Sequence, residues 1–218
     1  MIELVIFDCD GVLVDSERLS QIVMVDMLAE YGVTLSSDAV AAHFVGASDR
    51  RSLEILGDLL GRAPPSSFLE DYTRRTQHAY SSQLTAIPGI EDVLSGLILP
   101  YCVASNSSRS RIDFSLQHTD LLHWFENRIY SAEQVAAPKP APDLFLLAAS
   151  VYGVEPSRCL VIEDSSTGVI AARAAGMRVY GFTAMTPAVR LSEAGAHRLF
   201  SAMRDLPMLI DDNLGVIA

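Results

Sequence analysis

The sequence predicts an α/β fold, a Rossmann-like parallel sheet core carrying an inserted α-helical cap. Three observations predict it. Short apolar runs recur along the chain with helical segments between them, the rhythm of βαβ units. The first run is followed by helical patterns alone until about Thr85. Several of the runs end in acidic or hydroxyl residues, at the edge where open parallel sheets build ligand sites.

Taken in order, Ile2 to Phe7 reads as a strand covered on both faces, ended by Asp8 and Asp10, with Gly11 permitting a sharp turn. The period-two spacing puts both aspartates on one side of the backbone, close enough to share a divalent cation. Ser16 is a candidate N-cap, and Leu19, Ile22, Val23 and Met27 follow at helical spacing until Gly32. Helical patterns continue through Asp38–Phe44, Arg50–Leu60 and Ser66–Ser82, with Gly61 to Pro65 as a breaker. The pattern changes at Ile87-Pro88-Gly89. Strands are predicted at Tyr101–Ala104, Arg128–Tyr130, Leu160–Ile162 and Arg178–Phe182. Right-handed crossovers require the first strand to lie inside the sheet. Residues 1–15 and 86–218 therefore read as the core domain and residues 16–85 as a helical cap. The two short chain crossings imply a hinged cap over the carboxyl edge of the sheet.

Bulk properties narrow the function. With 218 residues, 50% hydrophobic and 20% charged, the chain can bury a full core. No stretch approaches the roughly 20 apolar residues of a membrane span. The first apolar run is too short for a signal peptide and has no basic region ahead of it. A formal charge of -11 argues against nucleic acid or an anionic membrane as partner. A small phosphorylated molecule remains compatible, given a locally positive site. Cys9, Cys102 and Cys159 are odd in number and set in apolar runs, so they read as buried fillers in a reducing compartment, the cytoplasm. The five histidines share no ligand spacing.

Three further clusters join the aspartate pair. Ala104-Ser105-Asn106-Ser107 ends a strand with a hydroxyl and backbone N–H groups suited to phosphate oxygens, although the same residues are ordinary turn and capping chemistry. Lys139 lies between Pro138 and Pro140, which reads as a stiff, extended support that aims the ammonium. Pro142 and Asp143 suit the start of a helix. Ile162-Glu163-Asp164-Ser165 ends another strand in acids, followed by a small-residue helix, Gly168–Ala175. On a strand Glu163 and Asp164 point to opposite sides, so only one faces the cation directly; Asp164 is the choice. Glu163 is then a weaker ligand, or a group holding water or Lys139.

In this order and spacing the clusters resemble the haloacid dehalogenase superfamily, in the phosphatase and β-phosphoglucomutase-like branch with a helical cap after the first strand. The resemblance implies an aspartyl-phosphate mechanism. Asp8 would be the nucleophile and Asp10 the acid and then the base. Ser105 and Lys139 would bind the transferring phosphoryl group. Mg2+ would take Asp8, the Asp10 backbone carbonyl and Asp164, with Glu163 as the fourth candidate. Substrate contacts would come from Asn106 and Ser107 and, in the cap, from Gly46, Ser48 and Arg51. An aspartate at position 10 matches the members that expel an alkoxide from a phosphate ester, not the dehalogenases. Where β-phosphoglucomutase-type members carry lysine, arginine and histidine, this chain has Val45, Asp49 and Ser20. The implied function is hydrolysis of a small phosphomonoester, a sugar phosphate or a sugar acid phosphate such as 6-phosphogluconate. A sugar-phosphate mutase and a non-catalytic binding module are the alternatives.

Overall fold

Leu4–Phe7, four consecutive buried residues, form β1, the strand around which the sheet is organised. The computed structural model describes residues 1–44 and 49–214. The remaining strands are β2 (Tyr101–Ser105), β3 (Ile129–Ser131), β4 (Cys159–Glu163), β5 (Arg178–Phe182) and β6 (Arg198–Phe200). They form one parallel sheet in the order β3-β2-β1-β4-β5-β6. This is the Rossmann-like α/β architecture expected from the sequence. The order reverses at β1, which pairs with β2 on one side and β4 on the other. Phe7 is level with Val103 and with Ile162, so Asp8, Ala104 and Glu163 emerge together at the carboxyl edge, with Ser105 and Asp164 one residue further on. Ligands bind at such a switch point in open α/β sheets.

The chain divides into two compact units, Met1–Asp15 with Thr85–Ala218, and Ser16–Leu84. Where the chain leaves and re-enters the larger unit, Val14 bridges Ala86, the Asp15 amide donates to the Thr85 carbonyl at 2.9 Å, and the Ile87 amide donates to Leu13 at 2.9 Å. Those bonds assign Thr85 to the larger unit.

The smaller unit consists of α1 (Ser16–Glu30), α2 (Ser37–Phe44), α3 (Asp49–Leu60) and α4 (Phe68–Gln83). Helix α1 buries Leu19, Val23, Met24, Met27 and Leu28, a stripe at helical period. Ile22 falls off that stripe and is exposed, so it is not the core residue its spacing predicted. Ser16 is the first residue of α1, and its hydroxyl is buried without a partner among the described residues, so it does not act as the side-chain cap expected of it.

The larger unit adds α5 (Ile90–Gly96), α6 (Arg109–His118), α7 (Asp143–Tyr152), α8 (Ser166–Ala174), α9 (Ala188–Glu193) and α10 (Leu206–Leu214). Alternation along the strands divides its core. Leu4, Ile6, Cys102, Ala104, Cys159 and Val161 face the side on which Leu144, Phe145 and Ala148 of α7 and Val169 and Ala172 of α8 pack. Phe7 meets Tyr101 edge-on, and Tyr101 meets Phe125 in the same way at 5.5 Å between centroids. Cys9, Cys102 and Cys159 are free and buried, as fillers should be. Among the described residues no helix is long and apolar enough to cross a membrane.

The sheet has one strand more than the sequence predicted. Strand β6 is three residues long and its first two are exposed, so no apolar run marks it. Its place is set by pairing with β5, where Gly181 lies level with Leu199.

Candidate active site

At the end of β1 the backbone turns at once. The Cys9 carbonyl accepts from the amides of Leu13 and Val14, and the Gly11 amide donates to Val14 at 2.9 Å. Gly11 has φ 76, a left-handed conformation that glycine adopts without a steric cost. The tight loop holds Asp8 and Asp10 at the edge of the sheet. Asp8 is 8% exposed and still belongs to the ladder, its amide donating to Ile162 at 3.0 Å.

Lys139 reaches this aspartate from the segment between β3 and α7. Its support is a hydrogen-bonded turn, closed by the Ala141 amide on the Pro138 carbonyl at 2.9 Å, and not the extended stretch that two flanking prolines suggested. A side chain does the remaining fixing. The Asn106 amide oxygen accepts from the Lys139 backbone N–H at 2.9 Å, and its nitrogen donates to the Lys139 carbonyl at 3.0 Å. Asn106, expected among the substrate contacts, thus holds the lysine. The Lys139 ammonium donates to Asp8 Oδ1 at 2.7 Å, to Glu163 Oε1 at 2.7 Å and to the Ala104 carbonyl at 2.8 Å. Three donors meet three acceptors, and the ammonium lies 4.7 Å from the centroid of the Phe145 ring.

Glu163 is fully buried, and its second oxygen accepts from both the amide and the hydroxyl of Ser165 at 3.0 and 2.8 Å. The Ser165 hydroxyl in turn accepts from the Gly168 amide and caps α8. This carboxylate fits only because residue 168 is glycine: a Cβ there would lie 1.7 Å from Glu163 Oε1. Asp164 comes just after β4 ends, where strict strand alternation no longer holds. Asp8, Glu163 and Asp164 each bring a carboxylate oxygen within 4.8 Å of the other two, so both acids face the cluster, contrary to the expected division between opposite sides.

Asp10 is held separately. The Ser107 hydroxyl donates to its Oδ2 at 2.7 Å and Arg111 Nη2 donates to its Oδ1 at 3.2 Å. Ser105, at the end of β2, is buried, and its hydroxyl oxygen accepts from the Ser107 amide at 3.2 Å. Asp8, Asp10, Ser105, Asn106, Ser107, Lys139, Glu163 and Asp164 are thus all gathered at one edge of the larger unit. Arg51 lies in the smaller unit on α3, exposed and paired with Glu54 at 3.1 Å. Gly46 and Ser48 lie outside the described residues, as does Val45.

Sequence reasoning missed Arg111, Ser165 and Gly168. The signal for Arg111 was the cap that starts its helix: Ser108 accepts from the Arg111 amide, so Arg111 sits in the first turn. Helical side chains lean toward the N-terminus, and that lean carries the guanidinium back to the strand ends. Gly168 was signalled by a glycine in the first turn of a helix, where alanine would be the better helix former.

Electrostatics follow from burial. Withdrawal from water pushes Asp8 up to about 7, against the opposing pull of Lys139, and Glu163 and Asp10 push the same way as burial. Burial alone would lower Lys139, but the Asp8 and Glu163 carboxylates outweigh it and hold the ammonium above its ordinary value. A site with this many carboxylates for its cations attracts a further positive charge. Its donors are all oxygens, which fits a hard divalent cation such as magnesium.

The model of the family described as haloacid dehalogenase-like hydrolase matches residues 5–182. The chain is 33% identical over 184 residues to the 6-phosphogluconate phosphatase of Escherichia coli, covering 84% of this chain and 83% of that protein. A conserved haloacid dehalogenase-like protein of unknown function from Agrobacterium tumefaciens superposes with a TM-score of 0.93 at 38% identity, covering 98% of this chain and all of that one. A HAD family hydrolase from Deinococcus radiodurans, solved with bound phosphate and sodium, superposes with a TM-score of 0.87 at 34% identity, covering 100% and 99% of the two chains. The family pattern runs from β1 through β5, across every strand end that carries the cluster, and the chain belongs to the haloacid dehalogenase-like hydrolases.

Proposed function

We propose that this chain is a magnesium-dependent phosphomonoester hydrolase acting on a small phosphorylated metabolite through an aspartyl-phosphate intermediate. The observation that carries the reading is the separation of two aspartates one residue apart. Asp8 is bonded to a buried ammonium, whereas Asp10 is held by a hydroxyl and a guanidinium. Two carboxylates in different environments suit a nucleophile and an acid/base.

Asp8 attacks phosphorus, forming an oxygen–phosphorus bond as the bond to the leaving oxygen breaks. Asp10 gives that oxygen its proton. Asp10 then takes a proton from water as the water attacks phosphorus, and Asp8 and inorganic phosphate are released. Lys139 opposes the rise that burial imposes on Asp8 and offsets the charge of the phosphoryl group, which Ser105 helps to position, and such positioning and charge compensation supply most of the acceleration in phosphoryl transfer. Mg2+, held by Asp8, Asp164 and the Asp10 carbonyl, would supply further positive charge toward the phosphoryl oxygens. Glu163 has both oxygens engaged by Lys139 and Ser165, which favours its role as the lysine's holder over direct ligation.

The 6-phosphogluconate phosphatase relative supports a sugar phosphate or sugar acid phosphate as substrate. Against a mutase stand Val45, Asp49 and Ser20 in place of cationic groups; the Ser20 hydroxyl is paired with Tyr80 at 2.6 Å. Three buried, free thiols support a reducing compartment, the cytoplasm. The test is phosphate release from a panel of sugar, sugar-acid and nucleoside monophosphates with magnesium or a chelator, alongside Asp8→Asn. Magnesium-dependent release by the wild type and none by the folded variant is expected. Retained activity in Asp8→Asn would sink the assignment. Efficient conversion of β-glucose 1-phosphate to glucose 6-phosphate with trace bisphosphate would favour the mutase.

A further inference from the structure

Asp10 is gripped at both carboxylate oxygens by one short segment. Ser107 and Arg111 lie on either side of the residue that caps α6, and their donors reach Oδ2 and Oδ1 at 2.7 and 3.2 Å. The segment is itself anchored. Ser131 at the end of β3 donates its hydroxyl to the Ser107 carbonyl at 2.8 Å, and Glu133 accepts from the Arg109 amide at 2.9 Å. Within the segment, the Ser108 hydroxyl accepts from the Arg111 amide, fixing the start of the helix on which Arg111 stands.

An aspartate side chain has two rotatable bonds, and its carboxylate can swing among staggered positions. Bonds from two separate directions, one from a hydroxyl and one from a guanidinium, select one of them. A guanidinium cannot pass on a proton under ordinary conditions, so Arg111 can only orient and attract. We infer that Arg111 is a positioning residue for departure of the leaving group: it holds the Asp10 carboxyl where its proton meets the departing oxygen. The inference rests on the acid role given to Asp10 above.

The consequence depends on the substrate. When the phosphorus–oxygen bond breaks, its electron pair goes to the leaving oxygen. A basic alkoxide needs the Asp10 proton in the transition state, whereas a nitrophenolate leaves without it. Loss of Arg111 should therefore penalise sugar and other alkyl esters and spare activated aryl esters. A salt bridge that served only stability would reduce both alike.

The experiment measures kcat/KM for the wild type, Arg111→Gln and Arg111→Lys with saturating magnesium. The substrates are an alkyl phosphate and a series of aryl phosphates graded by leaving-group basicity. This ratio reports the steps up to departure of the alcohol and leaves out hydrolysis of the aspartyl-phosphate. A positioned acid contributes a hundredfold or more, so partial misplacement in Arg111→Gln should cost about tenfold on the alkyl ester and less than about twofold on p-nitrophenyl phosphate. The dependence on leaving-group basicity should steepen, and Arg111→Lys should recover part of it. Equal losses across the series, or no loss, overturn the inference while leaving the hydrolase reading intact. A wild type that releases phosphate from none of the esters overturns both.

Discussion

The carboxyl edge of the sheet and the helical unit bury polar groups in opposite ways. At the sheet edge, Asp8, Ser105, Ser131, Lys139 and Glu163 are all buried, and each makes hydrogen bonds. In the helical unit, Ser16 Oγ, Gln21 Nε2 and Thr76 Oγ1 are buried without a partner among the described residues. Gln21 borders a cavity of about 110 Å³ whose wall also includes Ser20, Met24, Val40 and Tyr72. A satisfied polar network is rigid and specific, whereas an unpartnered buried donor carries a desolvation cost that a water or a ligand can offset. The sheet edge is therefore preorganised for one fixed chemistry. The helical unit still has hydrogen-bonding capacity to place.

The largest test of that contrast removes the centre of the network. Lys139→Met keeps most of the side-chain volume and leaves Glu163 buried beside Asp8 with no ammonium between them. Stranding a buried charge in this way costs about 3–5 kcal/mol, read as a lower denaturant midpoint. Turnover of phosphate esters should fall below detection. A variant as stable as the wild type would mean that the lysine does not offset the burial of the two acids, and the network would lose its centre.

Gly168→Ala probes the same network from outside. The added methyl meets the Glu163 carboxylate at a distance no real Cβ contact shows, so either the acid or the start of α8 must move. Overpacking of this kind costs about 1–3 kcal/mol. Because Glu163 holds Lys139, activity should fall together with stability, although residue 168 has no side chain to offer a substrate. Full activity with unchanged stability would show the network to be softer than its bonding implies.

How much of this was legible beforehand follows the same line. The strands ending in Asp8, Ser105 and Glu163 announce themselves because a parallel strand is a continuous apolar run, and a polar residue at its end is conspicuous. Lys139 stood out between its two prolines. The bonds among these residues were not legible. Asn106 and Ser107 looked like phosphate contacts, and nothing in their order along the chain shows that one holds the Lys139 backbone and the other Asp10. Arg111 belongs to the site through the direction a helical side chain takes, and Gly168 through the space a carboxylate needs; a glycine at the start of a helix is visible in the sequence, but the carboxylate that fills its space is not. Strand β6 escaped because its first two residues face water and carry no apolar run, so its pairing with β5 is what identifies it.

The smallest effect has the sign that separates the two regions most cleanly. Thr76 lies on α4, and its hydroxyl is buried without a partner among the described residues, so Thr76→Val removes an unsatisfied polar atom and keeps the shape. Relief of that desolvation should raise stability by about 0.5–1 kcal/mol, since an unpartnered buried polar atom costs more than its apolar isostere. The matching edit at the sheet edge is Ser131→Ala. That hydroxyl donates to the Ser107 carbonyl and accepts from the Glu133 amide, and its loss leaves both without it. A cost of about 1–2 kcal/mol is expected there. Deleting one hydroxyl thus stabilises the helical unit and weakens the sheet edge, read as opposite shifts of the denaturant midpoint on a common background. If Thr76→Val also destabilises, its hydroxyl is bound to an ordered water in solution, and the contrast between the two regions fails at this position.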